Sequence, residues 1–195
     1  LGFYAEGRLR KMPVGGGPVV EICKAELIFG ASWNSKDQIV FAEPWGPLYQ
    51  VPAAGGVPRA ITRLQKDEGE ISHRLPQFLP DGETVLFTVT RAIFPGWSDT
   101  DIVAQSLSKG TRTVLIKGGA DARLVGTGHL AYLRRGTLMA VPFDLRRLEV
   151  EGPAVGVVSD VMQAANIAPL QIDTGAGQFA VSSTGSLVYA TGGVY

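Results

Sequence analysis

The stretch PQFLPDGETVLFT, Pro76 to Thr88, sets an apolar strand before a Pro-Asp-Gly turn and a second apolar strand after it. Pro fixes φ, Asp bonds back to the backbone and Gly accepts φ > 0, so the turn is tight and the strands form a hairpin. A hairpin that recurs means a repeat architecture, and this one recurs. Val85-Leu86-Phe87-Thr88 has counterparts in Leu1-Gly2-Phe3-Tyr4, Ile39-Val40-Phe41-Ala42, Leu130-Ala131-Tyr132-Leu133 and Leu187-Val188-Tyr189-Ala190, each with an aromatic ring third. Those rings lie 38, 46, 45 and 57 residues apart. A period of about 40–45 residues is that of a four-stranded propeller blade.

The flanks recur as well. Arg8 to Val14, Leu48 to Ala53, Ile102 to Leu107 and Leu138 to Phe143 read as the next strand, three of them with Pro near the end, where its missing N–H is tolerated. Gly15-Gly16-Gly17-Pro18 and Gly55-Gly56-Val57-Pro58 supply turns, followed by closing strands at Val19 to Cys23 and Arg59 to Thr62. Ser35-Lys36-Asp37 and Ser183-Thr184-Gly185 hold the place of the Pro80-Asp81-Gly82 turn, and Gly30 to Trp33, Pro76 to Leu79 and Gln178 to Val181 are the strands before it. The pattern predicts an all-β fold, a β-propeller of four-stranded antiparallel blades. Residues 1–195 form a single segment with blades at about 1–23, 30–62, 76–116, 121–161 and 177–195, which is four to five blades of a six-bladed ring. Insertions at Arg91 to Thr100 and Gln163 to Gly177 lengthen two intervals, and irregular insertions on a regular scaffold are where binding surface usually sits.

Composition narrows the partners. Lys plus Arg equals Asp plus Glu, 18 against 18, so no net field gathers nucleic acid or anionic lipid. The one cysteine, Cys23, has no partner for an internal disulfide and reads as packing. No apolar run reaches the roughly 20 residues of a membrane span. The chain starts at Leu1 inside a strand, and the expectation is a piece of a longer polypeptide that continues into further blades or domains.

The unit FLPDGETVLFT, with its following strand, Gly-Gly-x-Pro turn and closing I-T, resembles the TolB-like, WD-related propeller repeat. The segments GFYAEGRLRKMPVGGGP, GPLYQVPAAGGVPRAIT, EISHRLPQFLPDGETVLF, GTLMAVPFDLRRLEVEGPAV and FAVSSTGSLVYATGG are similar to the propeller region that follows the membrane span in bacterial serine/threonine protein kinases. That resemblance covers nearly the whole chain. It implies a six-bladed, extracytoplasmic sensor or protein-binding module of a membrane-anchored parent. The kinase glycine loop, its strand lysine, the HRD-type loop and a DFG segment are missing from this chain. Similar blades occur in TolB and in the gating domain of prolyl-oligopeptidase-type peptidases, which stay open as alternative hosts.

Candidate chemistry is sparse. Gly126-Thr127-Gly128-His129-Leu130-Ala131 fits a dinucleotide fingerprint, but alternating strand residues follow where a helix is needed, so no cofactor is expected. His73 and His129 belong to different blades and have no ligand spacing for zinc. Asp99-Thr100-Asp101 places two carboxylates in a loop without the glycine or distal glutamate of a calcium hand, so no metal is expected there. Glu70-Ile71-Ser72-His73-Arg74 is the most suggestive run. Ser72 and His73 must face opposite sides of a strand, which argues against a catalytic pair, and the resemblance, whose family carries a similar segment before this blade, implies a structural bonding role between blades. No G-x-S-x-G elbow occurs. Trp33 reads as core between blades, and Arg134-Arg135 and Arg146-Arg147 read as solvated turns. Trp45 and Trp97 lie in turn-rich loops, where rigid aromatics serve as interface anchors, and they are the candidate contacts for a protein or small ligand. The expectation is a non-catalytic interaction or sensor module.

Overall fold

The computed structural model describes residues 1–92, 97, 99–163, 166–167, 172–182 and 184–193. Residues 93–96 and 98 of the first insertion, 164–165 and 168–171 of the second, and Ser183 of the last turn lie outside the described residues.

The first sheet holds β1 (Gly2–Ala5), β2 (Arg8–Lys11) and β3 (Val20–Lys24). The second holds β4 (Ala31–Trp33), β5 (Gln38–Ala42), β6 (Leu48–Pro52) and β7 (Arg59–Ala60). The third runs from β8 (Ser72–Phe78) through β9 (Thr84–Thr90) and β10 (Asp101–Ser106) to β11 (Arg112–Lys117). In the fourth, β12 (Ala120–Val125), β13 (His129–Arg134) and β14 (Thr137–Asp144) are joined by β16 (Val155–Val158), with β15 (Glu149–Val150) a small hairpin on the end of β14. Two short pairs follow, β17 (Asn166–Ile167) with β18 (Ile172–Asp173) and β19 (Phe179–Val181) with β20 (Leu187–Tyr189). Among the described residues the strands named here pair antiparallel with their neighbours in sequence, except where β16 passes β15 to reach β14, and an isolated parallel bridge joins Gly46 to Ser72. The only helical turn among the described residues is the short 3-10 turn Lys66–Glu68, so no helix is long and apolar enough to cross a membrane. This is an all-β fold of successive antiparallel sheets, as the repeat predicts.

The recurring ring finds its reason in the core. Strand side chains alternate, so a strand buried on both faces feeds two slabs of core. Ile39 and Phe41 of β5 pack with Leu9, Ile22 and Cys23 of the first sheet, whereas Val40 and Ala42 pack with Val85, Phe87 and Val89 of the third. Likewise Leu130 and Tyr132 of β13 face Leu86 and Ile102 of the third sheet. Phe41, Phe87 and Tyr132 thus all turn onto the preceding sheet, each fully buried. Burying such a side chain contributes roughly 1.5–3 kcal/mol.

The opening hairpin behaves as its residues require. Asp81 Oδ1 accepts from the N–H of Glu83 at 2.9 Å and of Thr84 at 2.8 Å, and Gly82 has φ 63. In the second sheet the bonding residue is Asn34, one place before the expected Ser35-Lys36-Asp37, and its Oδ1 accepts from Lys36 and Gln38 at 3.0 Å. The strand before the opening hairpin is longer than expected, beginning at Ser72 and not Pro76. A bulge lets it include Pro76: Leu75 takes φ 54 and the ladder slips between Arg74 and Gln77. Pro cannot donate to a ladder, and a bulge is one of the few strand positions that accept it.

The positive φ also repeats. Gly30, Leu75 and Asp121, 45 and 46 residues apart, all have positive φ, Leu75 and Asp121 at bulges within β8 and β12 and Gly30 immediately before β4. Gly30 has a second constraint, because a Cβ there would stand 2.8 Å from the Leu75 Cα. Two residues beyond each of the three, a side chain reaches the next sheet. Ser32 Oγ accepts the Phe78 N–H at 3.0 Å, Gln77 Oε1 accepts the Leu124 N–H at 2.7 Å, and Arg123 donates to the carbonyls of Gly177 and Phe179. These clasps hold β4, β8 and β12 side by side at the inner end of the sheets.

Candidate functional site

The Glu70–Arg74 run sits where β8 meets the second sheet, and the alternation of β8 splits it into two polar nodes. In the first node His73 Nε2 stands 3.0 Å from Glu70 Oε2, and Nδ1 stands 2.8 Å from Thr62 Oγ1. Thr62 Oγ1 also accepts the Leu48 N–H at 2.8 Å, and Glu70 takes further bonds from Arg112 and from the Gln65 N–H at 2.8 Å. A carboxylate only accepts, so Nε2 carries the imidazole proton and Nδ1 accepts from the threonine hydroxyl. Burial pushes the Glu70 carboxyl up, but the bonds from His73 and Arg112 outweigh it and bring it down to about 2. Burial lowers His73 below its ordinary value of 6.5, against the pull of Glu70. The imidazole is therefore neutral and, at 0% exposure, closed to solvent. Acid, base and hydroxyl stand in line, yet every group is committed to a bond that ties the second sheet to the third. Ser72 is not part of it, since its Oγ accepts from Arg74 Nε at 3.0 Å on the other face.

The second node is Arg74, also 0% exposed. Its guanidinium donates to the Pro44 and Asp173 carbonyls, each at 3.1 Å, and lies over the rings of Phe29, Trp45 and Trp97 at 4.9, 5.7 and 5.9 Å. Burial lowers it to about 10, with the Asp173 carboxylate working the other way, so it stays charged at neutral pH. Both candidate contact tryptophans thus converge on one cation that sequence reasoning assigned to neither.

Their fates differ. Trp97 is 2% exposed, packed by its ring on Gly175, where a Cβ would stand 2.1 Å away. The expectation of an exposed anchor at Trp97 is overturned, because Gly175 lies directly against its ring and leaves it almost no exposure. Trp45 is 43% exposed. One face meets Arg74, and the residue lines a largely apolar hollow of about 530 Å³ with Leu64, Lys66, Gly69, Glu70 and Ile71. Trp33, read as core, is 40% exposed. A second cavity of about 530 Å³ lies among the inner strands, lined by Gly30, Ser32, Gln77, Asp121, Arg123 and Thr174 among others. Its two charges are spent on each other, with Arg123 donating to Asp121 Oδ2 at 2.8 Å and the Gly177 N–H adding to the same oxygen.

The remaining candidates are local. Thr100 donates to the Gly119 carbonyl at 2.8 Å, and Asp101 pairs with Arg91 at 2.8 Å. Among the described residues no cluster of three metal-binding side chains occurs. His129 Nδ1 meets the Thr127 carbonyl at 2.9 Å, and the glycines before it lead into β13, not a helix. Burial pushes the Cys23 thiol up, away from nucleophile chemistry. Arg134, expected to be solvated, instead donates to the Gly118 and Lys117 carbonyls. Thr62 and the clasp residues Ser32, Gln77 and Arg123 were missed; the 45- and 46-residue spacing of the clasps is the signal that finds them.

Known structures share this overall fold. Over 93% of this chain and 42% of its own, TolB from Acinetobacter baumannii superposes with a TM-score of 0.59 at 17% identity. Regucalcin from Agrobacterium tumefaciens, a calcium-binding protein, gives 0.63 at 16% identity over 95% of this chain and 60% of its own. The chain is an open arc of a β-propeller. An auxiliary nutrient binding protein from Bacteroides thetaiotaomicron gives 0.60 at 9% identity over 97% of this chain and 49% of its own. The chain spans from about two fifths to three fifths of the length of these structures. No protein-family model matches the chain, and neither does any curated protein.

Proposed function

We propose that this arc is the non-catalytic protein-contact module of a larger bacterial protein, with Trp45 as its anchor. The observation that carries the reading is the placement of Trp45: a half-exposed indole, pinned on one face by the buried Arg74 cation and open on the other to an apolar hollow edged by Lys66. A rigid aromatic beside a pocket loses little conformational freedom on binding, which is what an interface anchor needs. The Glu70–His73–Thr62 chain supports a scaffold and not a reaction, since each of its groups is already bonded within the fold.

For the parent, the resemblance of the repeat supports the extracytoplasmic part of a membrane serine/threonine protein kinase. The likeness to TolB favours a second reading, a protein-binding scaffold with no kinase attached. The test has two arms. Sequencing the gene outward from both ends separates the hosts: kinase motifs and a membrane span upstream support the first, a signal peptide and a small α/β domain the second, and an α/β-hydrolase segment downstream overturns both. Affinity capture from the source cell's envelope with the wild-type chain and with Trp45→Ala tests the anchor. Proteins held by the wild type and released by Trp45→Ala support it; identical captures overturn it.

A further inference from the structure

The apolar hollow beside Trp45 does not stand alone. A polar hollow of about 920 Å³, lined by Thr62, Arg63, Gln65, Gln105 and Arg112 among others, shares Leu64 and Lys66 with it. Both follow the crossing from β7 to β8, where the second sheet meets the third. Each of those sheets packs against a neighbour on both sides, so the pair of hollows belongs to the middle of the arc. Hollows of about 530 and 920 Å³ side by side exceed the roughly 300–1,000 Å³ of a small-molecule pocket. A trough of that size fits a length of extended chain.

The ionic groups around the trough divide into those already paired and those left free. Glu70 is saturated by His73, by the Gln65 N–H and by both terminal nitrogens of Arg112. Glu68 stands 3.9 Å from Arg91, which also pairs with Asp101. Arg63, Lys66 and Asp67 are exposed and form no ion pair among the described residues. Two free cations therefore face one free carboxylate, and Asp67 lines the polar hollow alone. Lys66, on the shared ridge, is the free ion of the apolar hollow. Arg112 adds a buried Nε–H with no acceptor among the described residues. The trough offers more donors and positive charge than it can satisfy by itself.

Trp45 narrows the occupant further. The Arg74 guanidinium lies 5.7 Å from its ring centroid on one face, and that charge repels a second cation at the open face. An aromatic ring, which stacks offset on an indole, has no such conflict.

We propose that the joined hollows bind one extended acidic segment of a partner protein, an aromatic side chain stacking on the open face of Trp45 and a neighbouring Asp or Glu meeting Lys66 and Arg63. This rests on the reading of Trp45 as a contact anchor and adds the chemistry of what it anchors. The ring supplies the buried contact, and the cations on the ridge select the partner, since rim charges govern specificity and encounter more than raw affinity.

The probe is a fluorescein-labelled, C-terminally amidated peptide, Gly-Glu-Tyr-Glu-Gly, titrated with the full chain at low salt and read by fluorescence anisotropy. Saturable binding is expected, about tenfold weaker when the peptide Tyr becomes Ala and about tenfold weaker with the chain variant Lys66→Glu. Lys66 is exposed on the 3-10 turn, so that variant leaves the core untouched. The charge exchange is the sharpest arm: Gly-Lys-Tyr-Lys-Gly should bind Lys66→Glu more tightly than it binds the wild type. A lysine peptide that binds the wild type as well as the glutamate peptide overturns the proposal. Binding weakened by Trp45→Ala but indifferent to both charge changes also overturns it, while the anchor reading stands. Absence of saturation with the folded wild-type chain overturns it too, and the envelope capture then judges the anchor separately. Displacement of the peptide by 4-hydroxyphenylacetate at an affinity equal to the peptide's own would make a small aromatic acid the occupant instead.

Discussion

His73 and Arg74 are adjacent in β8, both wholly buried, and the strand's alternation sends them to opposite faces. His73 is buried by giving up its charge: its two nitrogens are matched to a donor and an acceptor, and the ionised partner is Glu70, itself paired with Arg112. Arg74 is buried with its charge kept, held by two carbonyls, the Ser72 hydroxyl and three aromatic faces, with no carboxylate hydrogen-bonded to it among the described residues. The first solution is local, using residues 48 to 112 of the second and third sheets. The second reaches Trp97 and Asp173, so it ties β8 to one described residue in each insertion.

The largest effect that separates the two nodes is expected from Arg74→Ala, which leaves a cavity and strips the Pro44 and Asp173 carbonyls of their donor. Urea unfolding should show a loss of about 3–5 kcal/mol, with Trp97 becoming accessible to acrylamide quenching. A loss under about 1 kcal/mol would mean that the rings, and not the cation, hold that node together. Next is Gly175→Ala, which sets a methyl group against the Trp97 ring at a residue with φ 75. It should cost about 1–3 kcal/mol and expose Trp97 without disturbing the His73 node.

Thr62→Val keeps the shape of the first node but removes the hydroxyl that serves both Leu48 and His73. A loss of about 1–3 kcal/mol is expected by thermal unfolding. The same node makes the fold sensitive to acid. His73 is held below its ordinary 6.5 and Glu70 is brought from 4.5 to about 2, so for both groups the unfolded chain binds more protons at low pH. Stability should fall as pH drops below about 6.5, through His73, and fall further from about 4.5 toward 2, through Glu70. A urea midpoint that rises on acidification between 6.5 and 4.5 would contradict the neutral assignment of His73. The smallest effect is Trp45→Ala, about 0.5–1 kcal/mol in stability, because half of the ring is already in water.

The fold was legible because a strand buried on both faces writes an apolar run with its ring at a fixed place, and Phe41, Phe87 and Tyr132 all obey that rule. Turn chemistry was legible to within one residue, as Asn34 shows. The polar nodes were half legible. Alternation correctly kept Ser72 from His73, but nothing in a linear pattern announces Thr62, eleven residues before His73 and across a sheet boundary. Trp97 was misread because its loop composition is that of an exposed tip; its burial depends on Gly175, brought over it by a contact remote in sequence. The clasps escaped notice for a different reason. One place in the repeat is filled by Ser32, Gln77 and Arg123, which share reach and hydrogen bonding but no residue identity.

The bond from Arg74 to Asp173 spans 99 residues, whereas the clasps from Ser32 and Gln77 span 46 and 47. Closing a longer loop costs more chain entropy, and non-local contacts are slow to form. As the chain leaves the ribosome, the hairpins of the second and third sheets, and the His73 node between them, have all their parts as soon as residue 117 has emerged. The guanidinium of Arg74 meanwhile waits beside Phe29 and Trp45 for a carbonyl made more than fifty residues later. The segment around Asp173 and Gly175 is then the latch of assembly, and the order of synthesis makes Arg74 the residue that records whether the latch has closed.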